Sequence, residues 1–428
     1  LLKNIIFLAL GLALGIFVFI KQKEIISFSQ TLFVRSQTIG VEGLYTFEKL
    51  PKSITDSLSY GLTVSDEKGK FSQSPIVKDI DISNDNLSYV FTLKPDLKWH
   101  NNKALVASDI KLNIPGTQIS SDADDKIKIT LASQFSPALS LFSRPIFFNN
   151  TAYGLGPQLA KKITYQDGFV KSIHLKNAKT QTNVIYKFYS NEKDLFSAFR
   201  LGQVNEVITN QLPTDIETWP KLKIGKNVDT NQYIALFLNT ENIPSKQTRQ
   251  ALSYATRKNN DKNVRCITPI SPNSWAYNPA VKEYNFNITR SKELFKEENL
   301  KSINLIVTHR KLLPLAENIK KDWNEALGID VTITVSNNPK QVSYDAVLTF
   351  GQIPTDPDQY NYWHSTQTQT NISKLNNSRI DKLLEEGRLT FDQIERKRIY
   401  SDFQKYLSEE SPAIFLEFPT VYTITKSN

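Results

Sequence analysis

The sequence contains no methionine, one cysteine (Cys266) and four histidines in 428 residues. A single cysteine excludes an intrachain disulfide framework and any cysteine-rich zinc or iron–sulfur site. His100, His174, His309 and His364 stand far apart and form no His-x3-His pair, so no metal-ligating residue is assigned. Glycine and proline, 15 and 19 residues, are too few and too scattered for a collagen-like or linker-like chain. The common nucleotide and hydrolase signatures are also missing: no Gly-x4-Gly-Lys-Ser/Thr loop, no Gly-x-Ser-x-Gly elbow, no His-Glu-x-x-His and no Gly-x-Gly-x-x-Gly. No enzyme, no catalytic residue and no cofactor is expected. Methionine is missing at position 1 as well, from which the expectation is that the protein starts before Leu1.

What is there suffices for a large core. Apolar residues make up 40% and aromatics 11%, which excludes wholesale disorder. At roughly 150 residues per domain the length suggests two or three domains. Lys and Arg (52) outnumber Asp and Glu (43), a net charge of +9. The excess is spread along the chain and mixed with acids, as in Lys292-Glu293 and Glu395-Arg396-Lys397. Such a surface is solvated rather than gathered into the basic patch that nucleic acid requires, and no nucleic-acid partner is expected.

The one long apolar run is Ile5 to Ile20 (IIFLALGLALGIFVFI), flanked by Lys3, Lys21 and Lys23. It sits between the about 7–15 residues of a signal-peptide core and the about 17–25 of a membrane span. The nearest small-x-small site, Ser27-Phe28-Ser29, lies behind the charged Lys21-Gln-Lys-Glu, which is poor for cleavage. The expectation is an uncleaved N-terminal transmembrane helix within residues 1–24, with a cleaved, secreted form as the alternative. Both put the remainder on the extracytoplasmic side, anchored to the cell membrane in the first case. No cysteine follows the run to carry a lipid, and the lone Cys266 suits export, where unpaired thiols are a liability.

The body reads as mixed α/β (α+β). Residues 30–190 are strand-rich, with alternating segments at Tyr89–Leu93, Lys126–Leu131 and Val184–Tyr189. A helix is predicted over Asn191–Leu201, with Ser190 as its N-cap and Gly202 as its stop. A strand at Tyr233–Asn239 and a helix after Pro244-Ser245 follow. From about residue 300 the pattern becomes β-α-β: Ile303–Thr308, helix Leu313–Leu327 closed by Gly328, and Asp330–Val335. A strand at Tyr344–Phe350, helices at Arg379–Leu389 and Asp392–Glu409, and a closing strand at Ala413–Phe418 complete it. Gly154-Leu-Gly-Pro reads as a tight turn. Asp356-Pro-Asp358 reads as a loop with local side-chain-to-backbone bonds, or as a carboxylate pair.

Four segments taken together resemble the family-five extracellular solute-binding proteins, the dipeptide, oligopeptide and nickel receptors of ABC importers. They are Tyr89-Val-Phe-Thr-Leu-Lys-Pro-Asp-Leu-Lys-Trp-His with the following Asn101-Asn-Lys-Ala-Leu-Val-Ala-Ser-Asp-Ile; Asn239-Thr with Pro244 and Arg249-Gln-Ala-Leu-Ser-Tyr-Ala; Pro269-Ile-Ser-Pro-Asn-Ser-Trp-Ala-Tyr-Asn; and Gly351-Gln-Ile-Pro-Thr-Asp-Pro-Asp-Gln-Tyr with Asn371, Ile380-Asp and Glu395-Arg downstream. Their order and spacing over residues 75–419 make the match specific.

The resemblance implies a two-lobed, hinge-closing periplasmic-binding-protein fold of type II-like form. Lobe I is expected over residues 28–235 plus 412–428 and lobe II over 236–411, with a monomer serving ABC permease subunits. Asp109–Phe135 is short where the family inserts a further subdomain, so lobe I is expected to be reduced. The implied ligand is a peptide held by β-augmentation; another solute (a sugar or chelated nickel), or a surface enzyme or cell-wall-associated protein on the same scaffold, are the alternatives. Ligand-binding residues are expected at Trp275 and Tyr277 in the Pro-rich loop, and at Gln352, Asp356, Asp358 and Tyr360 in and before the Asp-Pro-Asp loop. Trp275 reads equally as a core aromatic, and Arg249 as a structural tie. Where peptide-binding members place an amine-binding Asp, this chain has Gln352; Asp356 or Asp358 can substitute, and the choice stays open. The family continues beyond the point where this chain ends, so residues are expected after Asn428.

Overall fold

The computed structural model describes residues 37–427. The expected anchor within residues 1–24 lies outside the described residues. Among those described, no helix is long and apolar enough to cross a membrane. The chain forms two compact units, one from residues up to 57 with 157–208, the other from 58–156 with 209 onward.

In the first unit Gln37–Glu42 lies between two parallel neighbours, Asn183–Tyr189 and Glu206–Thr209. The sheet continues antiparallel through Phe169–Asn177 and Gln158–Gln166. Helix Glu192–Arg200 buries Leu195, Phe196, Ala198 and Phe199. It lies so close to the sheet that a methyl group added at Gly40 would come within 2.5 Å of Leu195 Cδ1. The cap falls one residue after the expected Ser190. Asn191 has the extended backbone an N-cap needs, and its side chain accepts the Asp194 N–H at 2.9 Å.

In the second unit, residues 58–156 carry an antiparallel sheet in the order Val77–Ile82, Ser88–Leu93, Lys126–Leu131, Thr117–Ala123. Alternation in Ser88–Leu93 turns Tyr89, Phe91 and Leu93 inward. Tyr89 and Phe91 each meet the ring of Phe142 edge-on at 5.3 Å. Gly154 is not in a left-handed turn; a side chain there would overlap the Leu58 carbonyl, so glycine serves a close approach of two chain segments.

The rest of the second unit is built on a five-stranded sheet. Its elements are β1 (Gln232–Leu238), α1 (Lys246–Ala255), α2 (Ile288–Phe295), β2 (Ser302–Val307), α3 (Leu313–Leu327), β3 (Asp330–Val335), β4 (Ala346–Gln352), α4 (Ser378–Leu389), α5 (Gln393–Glu410) and β5 (Ala413–Glu417). The strand order is β3-β2-β4-β1-β5. β2 runs parallel to β3 and β4, whereas β1 is antiparallel to β4 and β5. The chain does not close at β5: after Pro419 the strand Thr420–Lys426 pairs antiparallel with Leu222–Val228. Its Thr/Val/Tyr/Ile-rich run supports that pairing.

Both faces of the five-stranded sheet are covered, which is why β1 is apolar without interruption from Tyr233 to Leu238. Ile234, Leu236 and Leu238 pack with Ile319 and Trp323 of α3 on one side. Tyr233, Ala235 and Phe237 pack with Leu384 of α4 and Tyr400 and Phe403 of α5 on the other. Each fully buried large side chain here stabilises by about 1.5–3 kcal/mol. Ser245, Asn377 and Asp392 cap α1, α4 and α5, and Gly328 ends α3 at φ +71°. The lobe boundaries expected from sequence, 235/236 and 411/412, fall within β1 and just before β5.

Candidate functional site

From β2 the chain passes through α3 to β3 on one side, then returns to β4 on the other side of β2. In open α/β sheets the carboxyl ends of strands that diverge in this way frame a crevice suited to ligands. Here those ends bring Phe350, Gly351 and Gln352 of β4 to a cavity of about 680 Å³. Its lining also includes Asn242, Pro339, residues 341–344 and the segment 368–372 with Lys374.

The walls are tied together. The Asn239 and Asn242 side-chain amides donate to the Tyr344 carbonyl at 3.0 and 3.1 Å, and the Tyr344 hydroxyl donates to the Ile372 carbonyl at 2.9 Å. Buried Asn371 holds its own loop: its amide donates to the Leu375 carbonyl at 2.9 Å, and its oxygen accepts from the Ser373 hydroxyl at 2.9 Å. Tyr233, Phe237, Phe350 and Tyr362 supply aromatic surface. Burial raises the Tyr233, Tyr344 and Tyr362 pKa values, which keeps the phenols neutral. The Lys374 ammonium is held by Glu241 at 2.7 Å. Gly351 matters because the Tyr233 ring lies against it; an added methyl would sit 2.6 Å from the phenol oxygen and closer to the ring.

The six expected site residues divide into separate places. Gln352, exposed at the end of β4, lines the 680 Å³ cavity. Asp356 is buried and receives both terminal nitrogens of Arg396, at 2.7 and 2.9 Å. Asp358 accepts from Arg388 Nε and Nη2, the shortest contact being 2.8 Å. Both also make the expected local bonds, to the Asp358 and Tyr360 N–H groups. The Tyr360 ring packs on the Arg388 guanidinium at 3.8 Å and on the His364 imidazole at 4.0 Å. Trp275 is half-buried, edge-on to Tyr400, with Arg396 5.6 Å from its ring centre. Trp275, Asp356 and Arg396 share a shallow pocket of about 200 Å³ with Gly69, Phe71 and Ser136. Tyr277 is half-buried, packed against the core on the α5 side of the sheet.

Sequence reasoning assigned neither the arginines nor the wall of the larger cavity. Arg388 and Arg396 lie 30 and 40 residues from their partners, a separation no local pattern encodes. The wall residues are mostly amides, hydroxyls and aromatics on separate segments, together with Lys374, and carry no motif. A second cavity, of about 500 Å³, shares only Phe350 with the first; Asn210, Lys226, Asp261, Lys311 and Glu417 are among its lining. Arg249 is a structural tie as expected: it donates to the carbonyls of Ile243, Pro244 and Glu410 at 2.7–3.0 Å, joining α1 to the end of α5.

Comparison with known proteins shows the family and the fold. The chain is 22% identical over 469 aligned residues to the oligopeptide-binding protein AppA of Bacillus subtilis, covering 90% of this chain and 85% of that protein. It is 24% identical to the probable D,D-dipeptide-binding periplasmic protein DdpA of Escherichia coli, covering 78% and 77%. In fold it is similar to the B. subtilis AppA structure in complex with a nonapeptide (TM-score 0.70, 20% identity, 92% and 95% covered). It is similar also to NikZ from Campylobacter jejuni in complex with Ni(L-His) (TM-score 0.73, 19% identity, 91% and 94% covered). The family of bacterial extracellular solute-binding proteins, family 5 Middle, matches residues 73–374. With most of its length matched, this chain belongs to the family 5 extracellular solute-binding proteins.

Proposed function

We propose that this protein is the extracytoplasmic solute-capturing subunit of an ABC importer and that its cargo is peptide. The observation that carries the proposal is the 680 Å³ cavity at the carboxyl end of β4, where side-chain amides and aromatic rings converge. Amides match the donors and acceptors of a peptide backbone, and rings cover its side chains without demanding one sequence. The similarity to AppA and DdpA, both named for peptide binding, supports the same choice. The protein acts by capture without turnover: the Asp-Pro-Asp carboxylates, the natural acid–base pair in the loop, are each held by an arginine.

In this proposal residues 28–235 with 412–428 and residues 236–411 form two lobes that close on ligand and present it to the permease. Gln352 contributes to the ligand wall, while Trp275, Tyr277 and Tyr360 with Asp356 and Asp358 shape the neighbouring loop. The Ile5–Ile20 run, with its flanking lysines, tethers the protein to the membrane. The test is titration of the purified protein with peptide pools of two to ten residues, read by calorimetry and thermal shift. Saturable binding with a raised melting temperature is expected; indifference to every pool overturns the peptide assignment.

A further inference from the structure

We infer that the 680 Å³ cavity receives an uncharged stretch of its ligand, so that a bound peptide places neither its α-ammonium nor its α-carboxylate there. The inference rests on the peptide proposal for its choice of ligand. Its basis is the wall itself. Among the described residues no Asp or Glu lines the cavity, and Lys374 is the one Lys or Arg that does. That ammonium is engaged by Glu241 at 2.7 Å and faces the Tyr344 ring at 5.9 Å. The carboxylates behind the wall are engaged too: Asp345 accepts from the Asn242 amide and the Asn304 N–H, each at 2.8 Å. Asp356 and Asp358, the nearest acids after Gln352, are taken by Arg396 and Arg388.

A free ammonium entering this space would lose water without gaining a counter-ion, which disfavours it strongly. An amide, an acetyl cap or a hydroxyl would meet partners of its own kind in Asn242, Gln341, Gln352 and the Thr368–Thr370 segment. Charged side chains are concentrated instead in the 500 Å³ cavity beyond Phe350, where Asp261, Glu417, Lys226 and Lys311 stand. The ligand class is therefore an uncharged, hydrogen-bonding segment with apolar faces: an N-blocked peptide or the interior of a longer one.

The experiment titrates the full chain in detergent with three probes: an equimolar pool of tetrapeptides of Ala, Ser, Leu and Tyr with free ends, the same pool N-acetylated and C-amidated, and the neutral sugar maltotriose. The blocked pool should bind within about tenfold of the free pool, a gap of at most ~1.4 kcal/mol. Gln352→Asp, checked for an unchanged melting temperature, should shift the ratio at least tenfold toward the free pool. Maltotriose binding with no peptide binding would fell the peptide proposal and leave the uncharged-ligand inference standing. A free pool bound more than tenfold tighter than the blocked one overturns the inference if that preference survives Asp261→Asn with Glu417→Gln; a preference abolished by those substitutions places the amine in the second cavity and leaves the inference standing. An unshifted ratio in Gln352→Asp, or binding of neither the blocked pool nor maltotriose, overturns it as well.

Discussion

The Asp356 carboxylate and the Arg396 guanidinium form a buried two-pronged ion pair, at 2.7 and 2.9 Å, between the Asp-Pro-Asp loop and α5. Burial alone would lower the Arg396 pKa, but Asp356 more than offsets this and holds the guanidinium above its ordinary value. Removing one member of such a pair strands the other charge. Asp356→Asn should therefore destabilise the protein by about 3–5 kcal/mol. Asp358→Asn faces the more exposed Arg388 and should cost about 1.5–3 kcal/mol. Urea unfolding of both variants checks the order, and equal losses would contradict it.

At Gly351 the expected effect is steric. An alanine methyl overlaps the buried Tyr233 ring, and overpacking of this kind costs about 1–3 kcal/mol. Shrinking the ring with Tyr233→Leu should relieve the clash, so the double variant should be less destabilised than the sum of the singles. Strict additivity in denaturant melts would show that the ring does not limit the site.

Trp275 separates packing from binding. Its ring meets Tyr400 and Arg396, and truncation to alanine should cost about 3 kcal/mol. If packing is its role, affinity per folded molecule for the tetrapeptide pool stays within about twofold of the unaltered protein. A loss of more than tenfold with a small stability change would assign the ring to the ligand.

His100 should set part of the acid sensitivity. Burial lowers its pKa, opposed by the bond to the Gly156 carbonyl at 2.9 Å. The folded state then binds fewer protons than the unfolded state below the ordinary value of 6.5. Stability contributed by neutral His100 is fully present above that pH and is lost as the pH falls through and below it. His100→Gln should flatten the fall in melting temperature between about pH 6.5 and 5. An unchanged slope would show that His100 binds protons alike in the folded and unfolded states.

Periodicity and caps by themselves determined most elements of the second unit. Leu313–Leu327 and Asp330–Val335 have the expected bounds, because a 3.6-residue apolar stripe closed by Gly328, followed by alternation, leaves the backbone little choice. The four ordered segments likewise pointed to the family. The cap at Asn191 and the last strand, Thr420–Lys426, were decided by the fold: the first by a backbone angle, the second by its partner 198 residues upstream, in the register Leu222 to Lys426 and Val228 to Thr420. The candidate site shows the same division. Asp356 and Asp358 stand out in the sequence as a carboxylate pair, but only tertiary structure brings Arg396 and Arg388 onto them and so removes their free charge. The cavity's wall was equally illegible, since Asn242, Tyr344, Gln352 and Asn371 converge through strand order and loop hydrogen bonds rather than through spacing along the chain.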